Sequence, residues 1–103
     1  MRALAISSAK RVKGIDVPTL IEQGVNVELV NWRGVFAPPG VSDKDKAAIT
    51  ELVTKMAGSP EWKDICAKRE WDQSLVVGDA YAKYIASETL RIEGVLKDLG
   101  LVT

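Results

Sequence analysis

Pro38-Pro39-Gly40 is the strongest stop signal in this chain. A proline offers no backbone N–H and fixes its own φ, so a strand that reaches Ala37 has to end there. Upstream of the stop lie short apolar runs, each closed by turn residues. Ala3-Leu4-Ala5-Ile6 ends at Ser7-Ser8. Its length fits a buried parallel strand, although a run this short has no period that separates strand from buried helix. Ser7 to Arg11 turns polar and Gly14 punctuates a loop. Pro18-Thr19-Leu20-Ile21-Glu22-Gln23-Gly24 predicts one or two helical turns, with proline near the start and Gly24 where a left-handed terminus is wanted. Val27 to Trp32 and Gly34 to Ala37, rich in Val, Leu, Phe and Trp, are expected to be extended.

Downstream of the stop the pattern becomes helical. Ser42 is a good N-cap, with Asp45 placing negative charge in the first turn. Ala48, Ile49, Leu52, Val53 and Met56 follow as an i, i+3, i+4 stripe that Gly58 closes. Ser59 and Pro60 restart a helix as cap and first helical residue, with Trp62, Ile65 and Cys66 on its inward face. Trp71 to Val77 mixes aromatic and β-branched residues and predicts one more strand. Asp79 is then expected to cap a long last helix striped with Tyr81, Tyr84, Ile85, Ile92, Val95, Leu96 and Leu99, ended by Gly100. The order β–α–β–α–α–β–α, without internal repeats, predicts an α/β class. The expectation is a layered sheet with flanking helices, with Ala3–Ile6 and Val35–Ala37 in one sheet and residues 1–103 as a single domain.

Composition narrows the functions. Of 103 residues, 47% are hydrophobic and 27% charged, enough apolar surface for a core. Fourteen basic residues balance fourteen acidic ones, and no Lys/Arg stripe exists to attract phosphates, so nucleic acid is not an expected partner. Lys44-Asp45-Lys46 fits the solvated face of a helix. The chain has no histidine and one cysteine, Cys66. Ser–His–Asp and Cys–His arrangements cannot be built, the neutral-pH proton shuttle is missing, and Cys66 reads as a small buried apolar residue. No metal site, no cofactor and no bond chemistry are expected. No apolar run approaches the ~20 residues of a membrane span, and Met1 to Ala5 lacks the length and flanks of a signal peptide.

Three stretches go beyond a generic reading: Arg2-Ala3-Leu4-Ala5-Ile6-Ser7-Ser8, Val17-Pro18-Thr19-Leu20-Ile21-Glu22-Gln23-Gly24, and Trp32-Arg33-Gly34-Val35-Phe36-Ala37-Pro38-Pro39-Gly40. In this order and spacing the chain resembles the C-terminal portion of the substrate-binding receptors of tripartite tricarboxylate transporters, the Bug receptors. Ser59-Pro60-Glu61-Trp62, Trp71-Asp72 and Asp98-Leu99-Gly100-Leu101 agree, so the resemblance spans residues 2 to 102. Ile15 and Val41-Ser42 depart from the family's usual residues, both in loops. The resemblance implies a partial lobe of a two-lobed periplasmic-binding-protein-like fold, about a third of a periplasmic receptor. That receptor would close on a small carboxylate and present it to the permease subunits of the membrane transporter. Such receptors grip anions with backbone N–H groups and helix N-termini, which need no basic side chain.

The candidate ligand-binding residues are Ser7, Ser8, Trp32 and Gly34. By the resemblance, Ser7 and Ser8 follow a strand near the cleft, where open α/β sheets place ligands; the plainer reading is that they turn the chain. Trp32 would border the cleft or sit half-buried in a sheet, and Gly34 would let the backbone pass close to another strand or a ligand. Thr19 is expected to make a local capping bond, and Glu22 and Glu88 to serve as caps or solvated faces. Standing alone, the chain is expected to bind no carboxylate usefully and to form a homodimer, because an unpaired first strand recruits a partner. The alternative function is a free-standing α/β module that associates with itself and takes no ligand.

Overall fold

The computed structural model describes residues 1–103. Its regular structure is three α-helices, α1 (Asp43–Gly58), α2 (Pro60–Lys68) and α3 (Gly78–Asp98), preceded by a 3-10 turn at Ile21–Gln23. The chain divides into two compact units, Met1–Pro38 and Pro39–Thr103, and the boundary falls inside the Pro-Pro-Gly stop. No helix is long and apolar enough to cross a membrane.

The helix starts follow the expected chemistry. Ser42 Oγ accepts from Asp45 N–H at 3.1 Å and donates to Asp45 Oδ2 at 2.8 Å, so cap and first-turn acid bind each other. Ser59 is both the C-cap of α1 and the N-cap of α2. Its N–H and Oγ both donate to Met56 O, and its Oγ accepts from Trp62 N–H at 3.2 Å. A single serine therefore turns α1 into α2, and these two helices pack against each other. Cys66 is buried, as expected. Asp79 is not the cap of α3: the helix begins at Gly78 after Val77, which makes no side-chain capping bond, and Asp79 lies in the first turn where its charge suits the helix dipole.

The 3-10 turn, α2 and α3 stop with one geometry, whereas α1 ends on the extended Ser59. Leu101 N–H reaches Leu96 O while Gly100 N–H reaches Lys97 O, the paired bonds of a Schellman terminus. The 3-10 turn closes in the same way through Val25 to Leu20 and Gly24 to Ile21, and α2 through Trp71 to Cys66 and Glu70 to Ala67. Gly24 and Gly100 hold φ of 85° and 69° at the left-handed position, whereas α2 puts Glu70 there at 56°. A Cβ makes that conformation cost about 1 kcal/mol.

The layered α/β sheet is overturned. The only pairing of strand type is an isolated parallel bridge between Ile6 and Thr19. Ala3–Ile6, Val27–Trp32, Gly34–Ala37 and Trp71–Val77 have strand composition but form no strands. The physical reason is that a strand, unlike a helix, satisfies its N–H and C=O groups only on a neighbour. Here the runs meet too few neighbours. Val35 and Phe36 are about two-thirds exposed. Trp71 is committed elsewhere: its N–H closes α2, its ring lies 6.2 Å from that of Trp62 at 54°, and the Arg69 guanidinium sits 5.5 Å over it.

Candidate functional site

Residues 4–8 run between two other stretches of the N-terminal unit. On one side Ile6 N–H donates to Pro18 O at 3.0 Å and Ile6 O accepts from Leu20 N–H at 2.9 Å. Leu4 O, two residues earlier, accepts from Gln23 Nε2 at 3.0 Å. On the other side Ser7 O accepts from Leu29 N–H at 2.9 Å, and Ser7 Oγ donates to Leu29 O at 2.8 Å. Alternate residues of an extended backbone present their polar groups in opposite directions, which is why Leu4 and Ile6 face one stretch and Ser7 the other.

The turn at residues 18–24 is built on a reciprocal capping box. Thr19 Oγ1 accepts from Glu22 N–H at 3.1 Å while Glu22 Oε2 accepts from Thr19 N–H at 2.9 Å. Thr19 is the most deeply buried residue of the chain. Its hydroxyl makes the local bond expected of it. Arg11 Nε lies 3.0 Å from both Glu22 oxygens, and Arg11 Nη1 is 3.8 Å from Asp16 Oδ1. The Arg11 hydrogen bond, helped by the Thr19 N–H, holds the Glu22 carboxyl down at about 2, and the Glu22 hydrogen bond raises the Arg11 guanidinium in turn. The positive charge of Arg11 is thus compensated within the chain, and it organises the turn.

The four candidates are arranged unevenly around this frame. Ser7, half-buried, is clasped to Leu29 and so reaches the stretch that carries Trp32 and Gly34. Ser8 Oγ donates to Lys10 O at 2.6 Å, a turn-forming bond within its own segment. Trp32 is half-buried and Gly34 exposed, both in backbone without regular structure. Sequence reasoning missed Arg11 and Gln23, whose partners Glu22 and Leu4 lie 11 and 19 residues away along the chain. The Thr-x-x-Glu spacing at 19–22 was the available signal for the capping box.

The arrangement suits holding a backbone in place. Glu88 is paired with Arg91, at 2.9 Å to Nε and 2.7 Å to Nη2, on α3. No group of three or more Asp, Glu, Cys or His side chains is placed to hold a metal ion.

Comparison with known proteins locates the chain in a family. The model of TctC, the tripartite tricarboxylate transporter family receptor, matches residues 1–101. Neither a curated protein nor a solved structure gives a match. With the family match running over nearly every residue, including both units and the Pro-Pro-Gly stop between them, the chain belongs to the tripartite tricarboxylate transporter receptor family.

Proposed function

We propose that this chain is the C-terminal portion of a solute-binding receptor for a tripartite tricarboxylate-type uptake system. The complete receptor works in the periplasm, holds a small carboxylate and delivers it to the permease subunits in the membrane. The observation that carries this reading is the family match over residues 1–101. The chain performs no bond chemistry; a chain without histidine, and with its best-placed carboxylate held ionised by Arg11, offers no proton-transfer pair.

In the complete receptor, Ser7, Ser8, Trp32 and Gly34 contribute the ligand-facing part of this chain. The clasp between Ser7 and Leu29 supports this, because it brings the first segment against the stretch bearing Trp32 and Gly34. The isolated chain binds no carboxylate with useful affinity, since a ligand site must enclose most of its ligand. Left to itself, the chain associates with a second copy.

Calorimetry with citrate, malate and acidic amino acids tests the reading on a complete receptor that contains this sequence and on the 103-residue chain. The receptor is expected to bind at least one of them, and Ser7→Ala to weaken that binding. The isolated chain is expected to show no heat of binding. Micromolar binding by the isolated chain would overturn the need for a second lobe, and a complete receptor indifferent to every carboxylate would overturn the ligand class.

A further inference from the structure

We infer that the Ser7 and Ser8 hydroxyls accept from the ligand, so that the carboxylate held by the complete receptor carries a hydroxyl or amino group on its chain. The inference rests on the reading that these two residues face the ligand. The reason is where their protons go. Ser7 Oγ donates to Leu29 O at 2.8 Å, and Ser8 Oγ donates to Lys10 O at 2.6 Å. A carbonyl oxygen has no proton to give, so in both bonds the hydrogen belongs to the serine. Each hydroxyl is left with its lone pairs, and lone pairs only accept.

The surrounding bonds hold these protons in place. Ser7 and Leu29 exchange two bonds, since Leu29 N–H also donates to Ser7 O at 2.9 Å. Turning the Ser7 proton toward a ligand opens half of that clasp and takes from Leu29 O its bond to the hydroxyl. The Ser8 bond closes the bend at residues 8–10. Both serines are half-buried, covered in part by the chain and open in part to a ligand.

This arrangement sorts ligands by their donors. An ionised carboxylate only accepts, and set against these two oxygens it finds no proton. A hydroxyl or an ammonium on the ligand supplies one. A ligand without such a group covers the serine oxygens and leaves them unpaired, which rejects an analogue more strongly than a change of shape does. Arg11, close by in sequence, does not alter this, because its Nε is bound to both Glu22 oxygens at 3.0 Å. Hydroxy acids and amino acids therefore fit here where plain di- and tricarboxylates do not.

Calorimetry on a complete receptor containing this sequence, with matched pairs of acids, tests the inference. Malate and aspartate are each compared with succinate, and citrate with tricarballylate. At least one substituted acid is expected to bind about tenfold or more tighter than its plain counterpart. Malate against aspartate separates the hydroxyl from the ammonium as the donor. Ser7→Ala and Ser8→Ala are each expected to shrink that ratio by about threefold or more, by weakening the substituted acid more than the plain one. If Ser7→Ala loses every ligand with its clasp, Ser8→Ala carries the test, because the Ser8 bond stays within one turn. A wild-type receptor that binds succinate or tricarballylate as tightly as the substituted acids overturns the inference and leaves the receptor reading standing. So does a preference that outlasts the serine variants. A receptor that takes none of these acids overturns the ligand class itself.

Discussion

The two units of this chain hold themselves together by opposite means. In Pro39–Thr103 the bonds are local: capping serines at 42 and 59 and ion pairs such as Glu51–Lys55 and Asp64–Lys68 join residues three or four apart. In Met1–Pro38 the bonds that matter are long in sequence. Ile6 reaches Pro18 and Leu20, Ser7 reaches Leu29, Gln23 reaches Leu4 and Arg11 reaches Glu22. The first kind repays each residue as it is ordered, apart from the nucleus. The second must close loops before any bond forms. The difference teaches that the N-terminal unit depends on a few bonds, each of which should matter more than any one bond in a helix.

Proline separates the two modes with the largest effect. Ile6→Pro removes the N–H that bonds Pro18 O, and the ring's steric demands fall on the one bridge of the unit. Amide protection at Leu20 and Leu29 is expected to vanish while ellipticity at 222 nm holds. Thr89→Pro, inside α3, should do the reverse, costing about 3 kcal/mol or more in that helix. Loss of helix in Ile6→Pro would break the comparison.

A smaller and opposite-signed pair acts at helix ends. Thr19→Ala removes a buried capping oxygen and is expected to destabilise the N-terminal unit by about 1 kcal/mol. Glu70→Gly relieves a left-handed residue and should stabilise the end of α2 by about 0.5–1 kcal/mol, a gain trimmed by the added freedom of the unfolded chain. Hydrogen exchange at Glu22 and Trp71, each a donor in the affected bonds, reports the two changes separately.

Acid has the smallest expected effect, because Glu22 and Arg11 are both about half exposed and solvent screens them. Glu22 titrates near 2 in the fold against 4.5 ordinarily. Its contribution is therefore fully present above 4.5 and is lost as pH falls toward 2, with the N-terminal unit loosening in that window. The Glu22 carboxyl carbon shift, followed by NMR, is expected to titrate below 3. A midpoint near 4.5 would show that the Arg11 bond does not form in solution.

Much of the C-terminal unit was legible because its signals are self-contained. Ser42, Ser59-Pro60 and Gly100 act on residues within a turn or two, so the sequence shows both donor and acceptor. The reading of Trp71–Val77 failed where two local rules competed: β-rich composition argued for a strand, while α2 needed Trp71 N–H to finish its last turn, and no glycine marked that terminus. Of the candidate site, the role of Thr19 and the turn at Ser8 were readable from spacing. The clasp of Ser7 on Leu29 was not, since nothing along the chain says which of several apolar stretches returns to residue 7.

By itself the sequence determined where α1 and α2 begin, where α3 ends, the stop at Pro38-Pro39-Gly40, and the family, since each depends on residues near in sequence or on their order. Only the tertiary structure decided that the apolar runs do not become a sheet, that Arg11 is tied to Glu22, and that Glu70 takes a conformation usually left to glycine. In the first two cases the partner is distant along the chain. In the third, the closing bonds from Glu70 and Trp71 back to Ala67 and Cys66 outweigh the unfavourable backbone of a single residue.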